Sequence, residues 1–209
     1  MVRLRDSGPV EKVGVSSPMD FFDAVAGRRS IRSYSPVPPP PESLARALEA
    51  ASSAPSQLNE QPWRFIIVEG EARDRLCSLV AASTRMLRDM FPLFDADSLA
   101  FAARFLSDLG GAPTAIVVTY PVAETDHQHK VNLLAAGGAI LLLQVALRAE
   151  GLGSVCITCA EWVEDAIRSD LGYETERLAA IIPVGFPDGD PGEQPPREDK
   201  TVRLREWPS

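Results

Sequence analysis

Ala54-Pro55-Ser56-Gln57-Leu58-Asn59-Glu60-Gln61-Pro62-Trp63-Arg64-Phe65 is the stretch around which the rest of the chain can be read. Ser56, Asn59 and Gln61 place a hydroxyl and two amides within six residues, and Pro55 and Pro62 stiffen the two ends. Hydrogen-bonding groups are thus held out from a loop of low flexibility, which suits a polar ligand. Pro62 biases Gln61 towards an extended backbone. Trp63 to Val68 then reads as a strand, with Phe65, Ile66, Ile67 and Val68 as its buried run.

Upstream, Arg28, Arg29 and Arg32 fall within five residues, with Ser30 between them, just after a short helix ending near Gly27. A chain of net charge -8 has no general need for such a cluster. Guanidinium groups bind phosphate bidentately and a serine hydroxyl can join the contact, so the pattern suits a phosphorylated small ligand. A solvated charge run at a helix end is the competing reading.

Together the two stretches resemble the nitroreductase family of flavoenzymes. The family's opening signature, Arg-Arg-Ser-x-Arg followed by an aromatic, is matched by Arg28-Arg29-Ser30-Ile31-Arg32-Ser33-Tyr34. Its second, Ala-Pro-Ser-x-x-Asn-x-Gln-Pro-Trp, is matched by Ala54 to Trp63. The likeness continues more loosely to Gly151-Leu152-Gly153 and Pro183-Val184-Gly185-Phe186-Pro187, and so covers most of residues 18 to 187.

The resemblance implies an α+β fold, a three-layer α/β sandwich with a central mixed sheet flanked by helices, assembled as an intertwined homodimer. It implies FMN as cofactor, with NADH or NADPH as co-substrate. Arg28, Arg29, Ser30 and Arg32 would meet the phosphate, ribityl chain and ring edge of the flavin. Pro55, Ser56, Gln57 and Asn59 would close over the same flavin from the partner chain, Gln57 standing where many relatives have a small hydroxyl or glycine. The backbone of Ile157, Thr158 and Cys159 would face the flavin's reactive edge, where an amide donor can stabilise charge on the reduced ring. Arg197 and Lys200 stand for the basic pair that meets the phosphate from the C-terminal extension in relatives. Leu141-Leu142 occupies the place of the family's common Gln-Asn pair on the long helix. No protein side chain is expected as catalyst, since the flavin carries the chemistry. The implied activity passes hydride equivalents to an electron-poor small molecule such as a nitroaromatic or quinone. A dehydrogenase or oxidase of one dedicated metabolite, or a flavin-binding protein without turnover, would use the same cofactor site.

At 209 residues, 45% hydrophobic and 24% charged, the composition is that of a globular chain. We read one domain, residues 18–187, preceded by an arm at 1–17 and followed by an extension at 188–209 that, by the resemblance, wraps the partner subunit. The acidic balance argues against nucleic acid or an anionic membrane as partner. Residues 1–17 lack the apolar core of a secretory signal, and three cysteines make no disulfide framework, so a cytoplasmic location is expected.

Along the chain, Ser17 is expected to cap the first helix, with Pro18 at its first position and Asp20 near its positive end. Five prolines between Pro36 and Pro41 form a rigid spacer leading to a helix near Glu42 to Ser53, and Glu71 to Ser83 carries a further helical pattern. Residues 85–110 hold Met86, Met90, Phe91, Phe94, Phe101 and Phe105, read as a helical pair on the core or as a mobile cover over a substrate pocket. Thr114 to Tyr120 is a buried strand.

A helix from Lys130 to Glu150 is apolar on every side, but Leu133 to Leu147 is too short to span a bilayer. Its Gly137-Gly138 pair asks for close approach of another backbone. Ser154 to Ile157 is a third strand, Glu161 to Leu171 a helix, Ala179 to Phe186 a fourth strand, and Thr201 to Arg205 a terminal strand that must pair with a sheet edge.

Cys156-Ile157-Thr158-Cys159 could be read as a metal or dithiol motif. Zinc would need two further ligands with paired spacing, and His127, His129 and Cys77 do not supply it. A redox dithiol should open a helix. Small residues beside a ligand are the simplest account. Gly151-Leu152-Gly153 is no dinucleotide fingerprint, so a nicotinamide donor must bind transiently over the flavin, giving ping-pong turnover. His127 and His129 are read in a loop, and no hydrolytic set accompanies them.

Overall fold

The computed structural model describes residues 19–86 and 95–201. Four strands, β1 (Arg64–Glu69), β2 (Thr114–Pro121), β3 (Gly153–Ser154) and β4 (Glu176–Gly185), lie in the order β1-β2-β4-β3. Among the described residues they pair antiparallel, and the one parallel pairing is the bridge Ser30↔Ser154. Residues Thr114 to Tyr120 of β2 are all buried, as a central strand covered on both faces must be.

Helices cover both faces. They are α1 (Phe21–Gly27), α2 (Pro41–Ser52), α3 (Gly70–Ala82), α4 (Ala96–Asp108), α5 (Asp126–Ala149) and α6 (Glu164–Leu171). Because side chains alternate along a strand, Ala115 and Val117 of β2 pack with Leu76, Val80, Phe105, Leu106 and Ile167 from α3, α4 and α6. Ile116 and Val118 pack on the other side with Leu44, Ala47, Ile140, Leu143 and Leu147 from α2 and α5. The result is the expected three-layer α+β architecture.

Several boundaries differ from the sequence reading. The cap of α1 is Asp20, whose side chain accepts from Phe22 N at 2.8 Å; Ser17 and Pro18 lie outside the described residues. So do the arm at 1–17, the strand expected from Thr201 beyond that residue, and residues 87–94 of the aromatic stretch. The second half of that stretch is α4. Ser154 to Ile157 is not one strand: β3 ends at Ser154, and Ile157 rejoins the sheet through a lone bridge to Ile181. The helix expected from Glu161 starts at Glu164, after the 3-10 turn Cys159–Val163.

The core helix α5 is longer than expected, 24 residues, because Thr125 caps it by accepting from Gln128 N at 3.2 Å. His127 and His129 therefore lie on the helix and not in a loop. By length and composition α5 could cross a membrane, yet half of its most apolar window is buried within this fold, including the polar Asn132 and Gln144. Its other side is open: Leu133, Leu134 and Leu141 are 42%, 80% and 56% exposed. Among the described residues no other backbone approaches the glycine pair: a Cβ at Gly137 would meet nothing within 4 Å and one at Gly138 only Ala54 Cβ at 4.0 Å.

Candidate functional site

The segment Arg28 to Ser35 leaves α1 and is pinned at both ends. Ile31 N donates to Ser154 O at 3.1 Å, Tyr34 N to Gly110 O at 3.0 Å, and Asp188 N to Ser33 O at 2.9 Å. The Tyr34 hydroxyl donates to Ile31 O at 2.6 Å, and burial pushes its phenol far above the ordinary value, so it remains a donor. Two glycines permit this path. A Cβ at Gly153 would stand 2.7 Å from Ile31 Cγ1, and one at Gly110, whose φ is 68°, would overlap Arg32 O.

The arginines expected to bind phosphate project from this rigid segment. Arg29 Nη1 donates to Ala26 O at 2.7 Å and to Arg28 O at 2.9 Å, which fixes the guanidinium plane. Arg32 Nη1 donates to Ser30 O at 3.3 Å. Among the described residues none of Arg28, Arg29 and Arg32 forms an ion pair, although most arginines elsewhere do.

Beside them is a small enclosed cavity walled by Arg28, Arg29, Gln144, Arg148 and Ser154. Arg148 and Gln144 were not singled out from the sequence. The signal existed: they are the polar residues four apart, hence on one face, in an otherwise apolar helical run. A cleft of about 220 Å³ adjoins, lined by Ser30, Arg32, Ser33, Phe101 and Asp188. A more apolar one of about 520 Å³ continues along α4 past Arg32, Asp97, Phe101, Ala102 and Phe105. The aromatic stretch therefore does wall a cleft next to the arginines, with Phe101 half exposed.

The loop Ala54 to Pro62 is folded on itself. Gln61 N donates to Ser56 Oγ at 3.0 Å and Gln61 Nε2 to Asn59 Oδ1 at 3.0 Å. These bonds draw Leu58, Asn59 and Gln61 to φ values of 51°, 58° and 48°, so Gln61 is left-handed and not extended, against the local preference imposed by Pro62. Pro55, Gln57 and Asn59 are exposed, and Leu58 projects an apolar side chain that is 86% exposed. Ala54 and Trp63 seat the loop on Ala135, Ala136 and Ala139 of α5.

That seat decides the geometry. The loop meets α5 at Ala135 to Ala139 and the arginine cavity meets it at Gln144 and Arg148, five to thirteen residues further on, or roughly 8 to 20 Å along the axis. None of the residues from Ala54 to Trp63 lines the cavity or the two clefts beside the arginines.

At the Cys-x-x-Cys segment, Ile157 is buried and its backbone is engaged in both directions with Ile181, at 2.9 and 3.0 Å. The expected amide donors of this segment narrow to Thr158 and Cys159, which this bridge leaves aside. Burial raises the half-buried Cys159 thiol above the ordinary value, the exposed Cys156 is shifted in the same direction, and neither is moved towards the thiolate. Among the described residues no trio of His, Cys, Asp or Glu converges to hold a metal. Arg197 and Lys200 lie in an exposed run, and Lys200 pairs with Glu198 at 3.2 Å; neither lines the arginine cavity.

Residues 25–186 match the model of the nitroreductase family. The chain is 30% identical over 190 residues to an iodotyrosine deiodinase of Thermotoga neapolitana, covering 88% of this chain and 96% of that one. It is 27% identical over 178 residues to a putative NAD(P)H nitroreductase of Bacillus subtilis, covering 78% and 85%. Among solved structures it is similar to an oxidized iodotyrosine deiodinase bound to FMN and 3-iodo-L-tyrosine, with TM-score 0.70, 26% identity, and coverage of 90% and 100%. The FMN-dependent nitroreductase NfnB of Mycobacterium smegmatis, solved with NADPH, shares the fold at TM-score 0.74 and 24% identity, covering 88% and 97%.

Proposed function

The chain belongs to the nitroreductase family, and from that premise we propose that it is a homodimeric FMN-dependent oxidoreductase using NADH or NADPH as donor and a small electron-poor molecule, such as a nitroaromatic or quinone, as acceptor. The observation that carries the reading is the corner of Arg28, Arg29 and Arg32, which form no ion pair among the described residues, with Arg32 also lining an apolar cleft along α4. A phosphorylated cofactor with a flat apolar ring needs that pairing of charge and surface.

When bound, FMN supplies hydride transfer between the nicotinamide and the acceptor. The chain's own residues bind and orient. Arg28, Arg29, Ser30 and Arg32 hold the anionic and polar edge, Phe101 and Phe105 give the apolar wall, and the amides at Thr158 and Cys159 offer donors for charge on the reduced ring.

Pro55, Ser56, Gln57 and Asn59 act from the other subunit. Their loop meets α5 in different turns from the arginine corner of its own chain, and a two-fold pairing of α5 helices would bring each loop to the partner's corner. The exposed apolar residues Leu133, Leu134 and Leu141, with Phe21 and Phe22 of α1 and Leu58 of the loop, supply the surface such a pairing needs to cover. We place Arg197 and Lys200, on the extension 188–209, in the same shared site.

The test is spectroscopic. The purified protein should carry a flavin absorption band that bleaches on anaerobic titration with NADH or NADPH and returns on adding a nitroaromatic or quinone. A bound flavin that neither nicotinamide reduces would overturn the donor assignment. The likeness to iodotyrosine deiodinases favours a second acceptor class, halogenated phenols; reoxidation by 3-iodo-L-tyrosine with release of iodide, and not by nitroaromatics, would select it.

A further inference from the structure

Three buried nitrogen atoms around the small cavity have no hydrogen-bond partner: Arg29 Nε, Arg148 Nε and Gln144 Nε2. Gln144 is only 8% exposed, and no acidic residue lines the cavity. Arg148, like Arg28 and Arg29, forms no ion pair among the described residues. Buried donors left unsatisfied, beside three positive charges and with the acidic residues Asp188 and Asp190 in the adjoining cleft, are costly in themselves. They are explained by an anion.

Resting on the cofactor reading above, we propose that Arg148 and Gln144 of α5, with Arg28 and Arg29, form a pocket for the phosphate end of the cofactor. The family's signature stretches contain neither residue. The geometry is prepared: Nη1 of Arg29 is tied to the carbonyls of Ala26 and Arg28, which leaves its Nε free for the ligand. Gly27 has no side chain, so the Arg148 guanidinium can lie against the end of α1. The cavity, about 20 Å³, has room for one oxygen-sized group, a phosphate oxygen in place of the whole ligand. It shares the walls Ile31, Pro187 and Pro191 with the cleft that holds Ser30 and Arg32. The exposed Arg197 and Lys200 do not line it, so this chain draws its inner phosphate contacts from the core helix.

The full-length protein, stripped of flavin, is titrated with FMN and with riboflavin, which lacks the phosphate. Arg148→Met keeps the aliphatic stem and Gln144→Leu keeps the volume, so both variants should fold. Each should weaken FMN by about tenfold or more while riboflavin affinity is unchanged, and Arg148→Lys should recover part of the loss. Equal weakening of both flavins would reduce the residues to packing roles and overturn the proposal. Unchanged FMN affinity in both variants, alongside a loss in Arg28→Ala, would overturn it while leaving the cofactor reading intact. A wild-type protein that takes up neither flavin defeats the cofactor reading. Inorganic phosphate then decides for the pocket: thermal protection that vanishes in Arg148→Met keeps it as an anion site, and absence of protection removes it.

Discussion

Gly27 lies against the guanidinium of Arg148: a Cβ built on Gly27 would stand 3.0 Å from Arg148 Nε and 3.2 Å from Nη2. The contact joins the end of the short helix α1 to the last turn of the core helix α5, and both residues line the cavity. Gly27 is not in the left-handed region, so alanine can be accommodated without backbone strain. Gly27→Ala should therefore change stability by less than about 1 kcal/mol, since alanine's helical preference offsets the crowding. The displaced Arg148 should lower affinity for FMN and not for riboflavin, as measured by calorimetry. An unchanged ratio of the two affinities would contradict this contact's role.

Arg28→Ala and Arg32→Ala should each weaken FMN binding, because each removes a charge-assisted contact worth roughly 1.5 to 3 kcal/mol, about tenfold to a hundredfold in affinity. Equilibrium dialysis of the flavin measures this directly. Full retention in both variants would return the arginines to a solvated surface cluster.

Gly110→Ala should destabilise the fold by about 2 kcal/mol, lowering the melting temperature by roughly 4 to 8 °C, since the added Cβ overlaps the Arg32 carbonyl. Gly70→Ala is the control. It has a similar positive φ of 56° with nothing within 4 Å of the added carbon, so it carries the backbone cost alone, about 1 kcal/mol. Equal shifts in the two variants would show that the close approach at Arg32 is not what Gly110 is needed for.

Cys156→Ser combined with Cys159→Ser should keep most of the flavin reduction by NADH or NADPH. Neither thiol is shifted towards the thiolate, and the segment is expected to act through backbone amides. If flavin stays bound but its reduction stops, the two cysteines form a working dithiol after all.

Two-chain sites make a strong prediction about mixtures. Arg28→Ala chains and Asn59→Ala chains should each bind flavin poorly alone. Their heterodimer carries one site with both defects and one with neither, so it should recover about half of the wild-type flavin per dimer. Leu134→Glu, which charges the most exposed apolar position of α5, should give monomers that have lost flavin, seen by sedimentation. Recovery of no flavin in the heterodimer, or a flavin-bound Leu134→Glu monomer, would place each site within one chain.

Much of the fold was legible because its signals are local. The β-branched run of β2, the proline entry to α2 and the alternation of apolar residues fixed where strands and helices lie, and Arg28 to Arg32 and Ala54 to Trp63 marked the polar anchors. Where the reading failed, a neighbour overruled a local preference. Gln61 is left-handed because Ser56 and Asn59 hold it, α5 begins early because Thr125 caps it, and the expected third strand breaks after Ser154.

Residue types and spacing, taken alone, determined the chemistry this chain can offer: guanidiniums for an anion, amides on a stiff loop, and apolar helices for a core. Only the tertiary structure decided which of these groups meet. Arg148 looks like an interruption of an apolar run until α1 ends against it at Gly27, and the two signature stretches look like one polar cluster until they are seen to meet α5 in different turns. The reason is physical: periodicity records which face of an element is apolar, whereas the partner of a polar group is chosen by long-range packing, which no local pattern encodes.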